Sequence, residues 1–166
     1  MKINWPWARP KDNYWILLLS ILVAQGAGAI GSLFTFSAIP TWYIYLNKPF
    51  FSPPNWLFGP VWTLLYTLMG ISAYLVWRSH QFGKKSLPFW HVYWTQLALN
   101  TLWSILFFGL KFTGFAFIEI LAMWYFIARS IQEGHKLSHW SAYLLYPYLA
   151  WVSFASLLNL SIWLLN

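Results

Sequence analysis

The amino-acid sequence predicts an all-α membrane protein, a bundle of five transmembrane helices with a structured loop between the first and the second. Three observations carry that prediction. Of the 166 residues, 60% are hydrophobic and 8% charged, which leaves too little polar surface to enclose a water-soluble core. Five apolar runs, at 14–36, 56–77, 89–110, 112–131 and 141–165, are each long enough to cross about 30 Å of hydrocarbon as a helix. The runs are continuous rather than alternating, so they fit helices and not a transmembrane barrel. Little chain remains outside them, and residues 1–166 read as one transmembrane domain without a soluble catalytic unit.

The first run is far longer than a signal-peptide core and lacks an A-x-A-like cleavage site, so it is read as a span. It carries Ala24, Ala27, Gly28, Gly31 and Ser32 at helical spacing. Such a stripe lets a second backbone approach closely, within the bundle or across a homodimer seam. The loop at 37–55 holds Pro40, Trp42, Tyr43, Tyr45, Pro49, Pro53 and Pro54. A loop so apolar either folds over the bundle end as a cap or forms part of an interfacial aromatic belt. In the second run Trp62 and Tyr66 are one turn apart. In the third, Gln96, Asn100 and Trp103 share one face. In the fifth, Trp151, Ala155 and Asn159 recur every fourth residue, with Tyr148 beside them. Amides in hydrocarbon need partners, so these faces point inward, either as interhelical glue or as the polar wall of a ligand pocket. Glu119 is the one acidic residue well inside a run, and a carboxyl there is a functional candidate or a protonated, helix-paired side chain.

The net charge of +7 sorts by loop. Lys2, Arg9 and Lys11 precede the first run; Arg78, Lys84 and Lys85 follow the second; Arg129 and Lys136 flank the last turn. The opposite side has Lys48 and Lys111. This positive-inside bias places the N-terminus in the cytoplasm of a bacterial plasma membrane, with a mitochondrial outer membrane as the other option, and argues against nucleic acid as a partner. With no cysteine there are no disulfides, thiolate metal sites or cysteine nucleophiles. His80, His91, His135 and His139 fall at or near the ends of runs. His135 and His139 are four apart but straddle a turn, so no metal site is expected.

Three stretches resemble one family: WY-x-x-LNKP-x-x-SPPNW-x-FGPVWT-x-LY-x-LMG from Trp42, QLALN-x-x-W from Gln96, and YPYLAW-x-x-FA-x-x-LN from Tyr146. In this order they are similar to the tryptophan-rich sensory protein/translocator protein family, whose animal members were called peripheral benzodiazepine receptors. The resemblance implies a five-helix, often dimeric membrane protein that binds porphyrins, sterols and benzodiazepine-site ligands under the first loop. Carried over by position, it implies a pocket of Trp42, Tyr43, Pro53, Trp56, Trp62, Tyr66, Gln96, Asn100, Trp103, Phe115, Tyr148, Trp151 and Ala155. Animal members end the fifth helix with a sterol-recognition pattern; here Leu160 and Leu164 stand where its Tyr and Arg would be. Tetrapyrroles such as protoporphyrin IX are therefore favoured over sterols.

Trp and Tyr faces would stack on such a macrocycle, and its propionates would lie toward the loop near Lys48. No resident cofactor is implied. Nothing resembles a nucleophile, base or metal constellation. If light- and oxygen-dependent porphyrin degradation occurs, as suggested for some relatives, Trp62 and Trp151 would line the reactive face. Translocation of tetrapyrroles or sterols is the other alternative to a receptor or sensor.

Overall fold

The computed structural model describes residues 13–79 and 84–166, and every regular element among them is helical. Lys2, Arg9, Lys11 and His80 lie outside the described residues.

Helix α1 (Tyr14–Thr41) starts at Asn13, whose side-chain oxygen accepts from the Trp15 and Ile16 amides at 3.1 and 3.4 Å. It runs past the expected end at 36 even though Pro40 withdraws one donor in the last turn. There the Thr41 hydroxyl donates to the Ser37 carbonyl at 2.6 Å, and the Trp42 amide donates to Ala38 O at 2.9 Å.

The following loop is tied down at many points. The Lys48 ammonium donates to the carbonyls of Tyr43, Ile44 and Leu46 at 2.8, 3.2 and 3.0 Å and sits 4.9 Å from the centre of the Tyr43 ring. Tyr43 is buried against Phe58, Phe107 and Phe108. The Asn47 amide donates to Asn166 Oδ1 at 2.9 Å, and Asn166 Nδ2 returns a bond to Asn47 O at 3.0 Å. Tyr43 packs inward from this loop, while Ile44, Tyr45 and Phe50 are exposed on its outer side.

Helix α2 (Phe58–Arg78) follows a single helical turn at Asn55–Leu57. Helix α3 (Leu87–Ser104) continues into a wider π turn, Ile105–Gly109, which brings both Phe107 and Phe108 into the core. Lys111 reverses the chain at φ 60°. Helix α4 spans Thr113–Leu137. The expected fifth run is two helices, α5 (His139–Tyr143) and α6 (Tyr146–Leu165). Pro147 explains the break, since it has no amide for the Tyr143 carbonyl and its ring excludes a continuous helix there.

Four helical stretches among the described residues, Tyr14–Thr41, Asn55–Arg78, Thr113–Leu137 and His139–Leu165, are long and apolar enough to cross a membrane. The third expected span falls short. Helix α3 has 18 residues, and its Thr95, Gln96, Asn100, Thr101 and Ser104 dilute the apolar content.

Helix α1 packs on α2 and α3, α3 on α4, and α4 on α5 and α6, while α5 reaches back to α2. Polar side chains fix these seams. Ser72 Oγ donates to Ser141 O at 2.9 Å, joining α2 to α5. Thr101 Oγ1 donates to Ala27 O at 3.1 Å, joining α3 to α1. Trp124 Nε1 donates to Ser153 Oγ at 2.8 Å, joining α4 to α6. The small residues of α1 are used inside the chain: Ala24 and Gly31 are buried, and Gly31 faces Ser104. At one end of the bundle Glu133 is buried beneath Arg129 and Lys136, at 3.2 and 2.8 Å.

Among the described glycines, Gly70 has the closest approach to another backbone, and an added Cβ there would lie 2.5 Å from Ile21 Cα on α1. Gly70→Ala should therefore destabilise the bundle by about 1–3 kcal/mol, read from unfolding in mild detergent. Gly26→Ala, with nothing within 4 Å, should leave stability unchanged or slightly raised.

Candidate functional site

A cavity of about 490 Å³ lies between the halves of α1 and α2 nearest the capping loop, with the end of α3 as its back wall. Its presence follows from side-chain size. On α1, Gln25, Gly28, Ala29, Ser32 and Thr35 line it, and small residues cannot fill the space. On α2, Trp62 and Tyr66 stand opposite with ring centroids 5.6 Å apart, and Gly59 leaves a gap above them. Trp103, Ser104 and Phe108 close the rear.

Tyr66 is prevented from folding into the cavity by a buried polar chain. Its hydroxyl donates to Asn100 Oδ1, Asn100 Nδ2 donates to the Tyr148 hydroxyl at 2.8 Å, and that hydroxyl donates to Met123 Sδ at 3.5 Å. Four helices meet in this chain. Trp103 is held similarly: its indole N–H donates to Asn159 Oδ1 at 3.0 Å, and Asn159 Nδ2 donates to Thr113 O at 2.8 Å. At the floor Gln25 Nε2 donates to Thr63 O and Thr67 Oγ1 at 2.9 and 3.0 Å.

Among the described residues no charged side chain lines the cavity. Its walls are aromatic, with hydroxyls and amides along α1 and at Asn55 and Thr63. Such a surface suits a flat, uncharged body with a few polar atoms. The rim opens sideways, out of the bundle: Phe36 and Trp56 are 72% and 71% exposed, and Ala29 and Gly59 are exposed beside them.

The residues expected at the site separate into groups. Trp56, Trp62, Tyr66 and Trp103 line the cavity. Asn100 and Tyr148 stand behind it as the support for Tyr66. Gln96 is buried, with Nε2 3.8 Å from Met69 Sδ and Oε1 without a partner. Tyr43 and Ala155 border a second, much smaller void of about 20 Å³. Burial pushes the Tyr43 phenol above its ordinary pKa.

Trp42 packs on Phe107 with centroids 5.7 Å apart, and Trp151 packs on Phe58 and Phe154, both outside the main cavity. Pro53 is half-buried in the loop. Phe115 is 67% exposed and points away, because one face of the first turn of α4 is turned out of the bundle. Lys48 is engaged by loop carbonyls and does not line the cavity, so the expected propionate partner is occupied. Glu119 is buried in α4 with neither carboxyl oxygen paired.

Sequence reasoning missed the contribution of α1. Its stripe of small residues was the available signal, but spacing alone does not say which member faces an empty volume. Gly28 faces Tyr66 and Gly31 faces Ser104, so one stripe serves both cavity and packing.

Apolar helices long enough to span lipid, gathered around an uncharged aromatic cavity, define a multi-pass integral membrane protein with room for an apolar ligand. The chain belongs to the TspO/MBR family, which it matches over residues 20–164. It is 45% identical over 150 residues to the tryptophan-rich protein TspO of Archaeoglobus fulgidus, covering 90% of this chain and 96% of that one. It is 39% identical over 153 residues to the tryptophan-rich sensory protein of Cereibacter sphaeroides, covering 92% of each. The human translocator protein is 37% identical over 151 residues, covering 90% of this chain and 89% of that protein.

Replacing Asn100 by Leu removes two bonds, strands the Tyr66 hydroxyl and leaves the Tyr148 hydroxyl with Met123 Sδ as its partner. A loss of about 1–3 kcal/mol in detergent unfolding is expected, with a smaller loss for Tyr148→Phe. Equal stability of wild type and Asn100→Leu would show that the chain of bonds carries no weight.

Proposed function

We propose that this protein is a membrane receptor or sensor that holds a flat tetrapyrrole, protoporphyrin IX or a close relative, in the cavity between α1 and α2, and that benzodiazepine-site compounds compete for the same space. The observation that carries this reading is the side-opening, aromatic-walled cavity of about 490 Å³ with Trp62, Tyr66 and Trp103 in its lining. That volume lies within the usual range for small-molecule sites. The macrocycle stacks on Trp62 and Tyr66, and the amide and hydroxyls of α1 meet its few polar atoms. Its carboxylates remain at the mouth beside Asn55, since burying them without a cation would be costly. Translocation is the second reading, favoured by the sideways opening toward lipid. For photo-oxidative degradation, Trp62 is the better placed tryptophan, because it lines the cavity and Trp151 does not.

In this reading the chain crosses the membrane five times, with α3 turning Leu87, Trp94 and Leu102 outward and keeping Gln96 and Asn100 inside. The end of the bundle that carries Arg78, Lys85 and Lys136 faces the cytoplasm, as the positive-inside rule requires. The membrane is a bacterial plasma membrane.

The test is a titration of the protein in nanodiscs with protoporphyrin IX in the dark, following the Soret band. Gly59 lines the cavity and has nothing within 4 Å of an added Cβ, so Gly59→Leu should fill the space without unfolding the helix. A saturable shift is expected in the wild type, with affinity reduced about tenfold or more in Gly59→Leu and in Trp62→Ala, a loss of about 1.4 kcal/mol or more. The thermal midpoint of Gly59→Leu should be unchanged. A shift that does not saturate, or that both variants keep, would place the porphyrin in lipid or elsewhere on the protein.

A further inference from the structure

The corner between α4 and α5 holds a second group of side chains, at the opposite end of the bundle from the cavity. His135 lies in the last turn of α4, and His139 is the first residue of α5. Between them Ser138 is extended, at φ −159° and ψ 114°, and the resulting bend brings the two imidazoles together although they belong to different helices. Their Nδ1 atoms are 3.3 Å apart. On its other side His135 Nε2 lies 3.2 Å from the Tyr146 hydroxyl, and Tyr143 packs its ring edge-on at a centroid distance of 5.4 Å.

The Tyr146 contact bears on the tautomer. With Nε2 protonated and donating to Tyr146, the lone pair of His135 is at Nδ1, the ring nitrogen that lies beside His139. Metal-ligating histidines are oriented in this way, with the second ring nitrogen held by an outer partner. The separation is also informative. A tetrahedral ion with nitrogen ligands at about 2.0–2.1 Å sets neighbouring ligand atoms about 3.3–3.4 Å apart. At the same bond length a right-angled pair, as in square-planar or octahedral coordination, would be separated by about 2.9 Å. The observed 3.3 Å, a distance at which the two rings also share a hydrogen bond, is compatible with the tetrahedral edge.

Glu133, one turn before the pair, is bound to Arg129 and Lys136, and among the described residues no group of three or more His, Cys, Asp or Glu gathers for a metal. The donor set is therefore two imidazole nitrogens. It selects nitrogen-preferring first-row ions over calcium or magnesium. Both rings reach solvent, His139 being exposed and His135 partly so, which leaves positions for water.

We propose that His135 and His139 form a binding site for a tetrahedral divalent metal ion of the zinc type, with Tyr146 fixing the His135 tautomer and water filling the remaining positions. Bound there, the ion clamps the α4–α5 bend, and through the Ser141–Ser72 hydrogen bonds that bend is joined to α2. The proposal is independent of the porphyrin reading.

Co(II) is a suitable probe, because tetrahedral Co(II) absorbs visible light far more strongly than the hexaaqua ion. The full-length protein, without a histidine tag and in nanodiscs, is titrated with Co(II) and then with Zn(II). A saturable visible band, one ion per chain, displaced by Zn(II), is expected. His135→Ala and His139→Ala should each abolish it, while Tyr146→Phe should weaken binding and keep the band. Zn(II) should raise the thermal midpoint of the wild type and of neither His variant; the metal-free midpoints report whether those variants are folded. The proposal is overturned if the spectrum stays that of aqueous Co(II), which leaves the short contact as an Nδ1–H···Nδ1 hydrogen bond. It is equally overturned if the band survives removal of either histidine.

Discussion

Asn100 is the point at which four helices are fastened to one another. Its amide accepts from Tyr66 on α2 and donates to Tyr148 on α6, and Tyr148 passes a bond to Met123 on α4. In hydrocarbon no water competes for these groups, so an unmet donor or acceptor is more expensive than at a soluble surface. The individual bonds are modest. Their combined effect is geometric, because the hydroxyl of Tyr66 is fixed and its ring must stand against α1. The ring packs directly on Gly28, where an added Cβ would overlap it, and the cavity lies beside that contact, among Ala29, Ser32, Thr35, Gly59 and Trp62.

The bundle is accordingly uneven. Helices α3, α4 and α6 share a core of Ile120, Met123, Ile127, Tyr148, Val152 and Phe107, knit by indole and amide bonds. Helix α1 is peripheral: its buried residues are Ala24, Gly31 and Ala38. It is held by backbone proximity at Gly70, by Gln25 and by Thr101. The cavity sits on the seam between this outer helix and the rest.

The helical class, the order of apolar runs and the inward faces of the third and fifth runs were legible in the sequence, because they depend on composition and on residue spacing along a helix. Gln96, Asn100 and Trp103 are buried as their common face requires. The break before Pro147 was also written in the chain but is easily passed over within so apolar a segment. The site was harder to read. Trp151 and Trp62 look equivalent as tryptophans on inward faces, yet only Trp62 meets open space; the outcome depends on the azimuth of each helix, which periodicity constrains only loosely. The part played by α1 was obscured because glycine and serine have the same spacing whether they admit a helix or border a void. The pairing of His135 with His139 needed the bend at Ser138, and a helical projection treats that bend as a spacer.

The capping loop has a further consequence for how affinity should be understood. Its lysine is bound to three of its own carbonyls, and Asn47 is tied to the end of α6. A cap secured in this way is a poor door, so under the proposed binding role a ligand would reach the cavity through the exposed rim of Phe36 and Trp56, from the lipid side. The relevant reservoir is then the membrane phase. Occupancy follows the mole fraction of ligand dissolved in lipid, and an affinity expressed against bulk water contains the partition coefficient as a hidden factor. The same protein would bind more weakly, by that measure, in a membrane that dissolves its ligand less well.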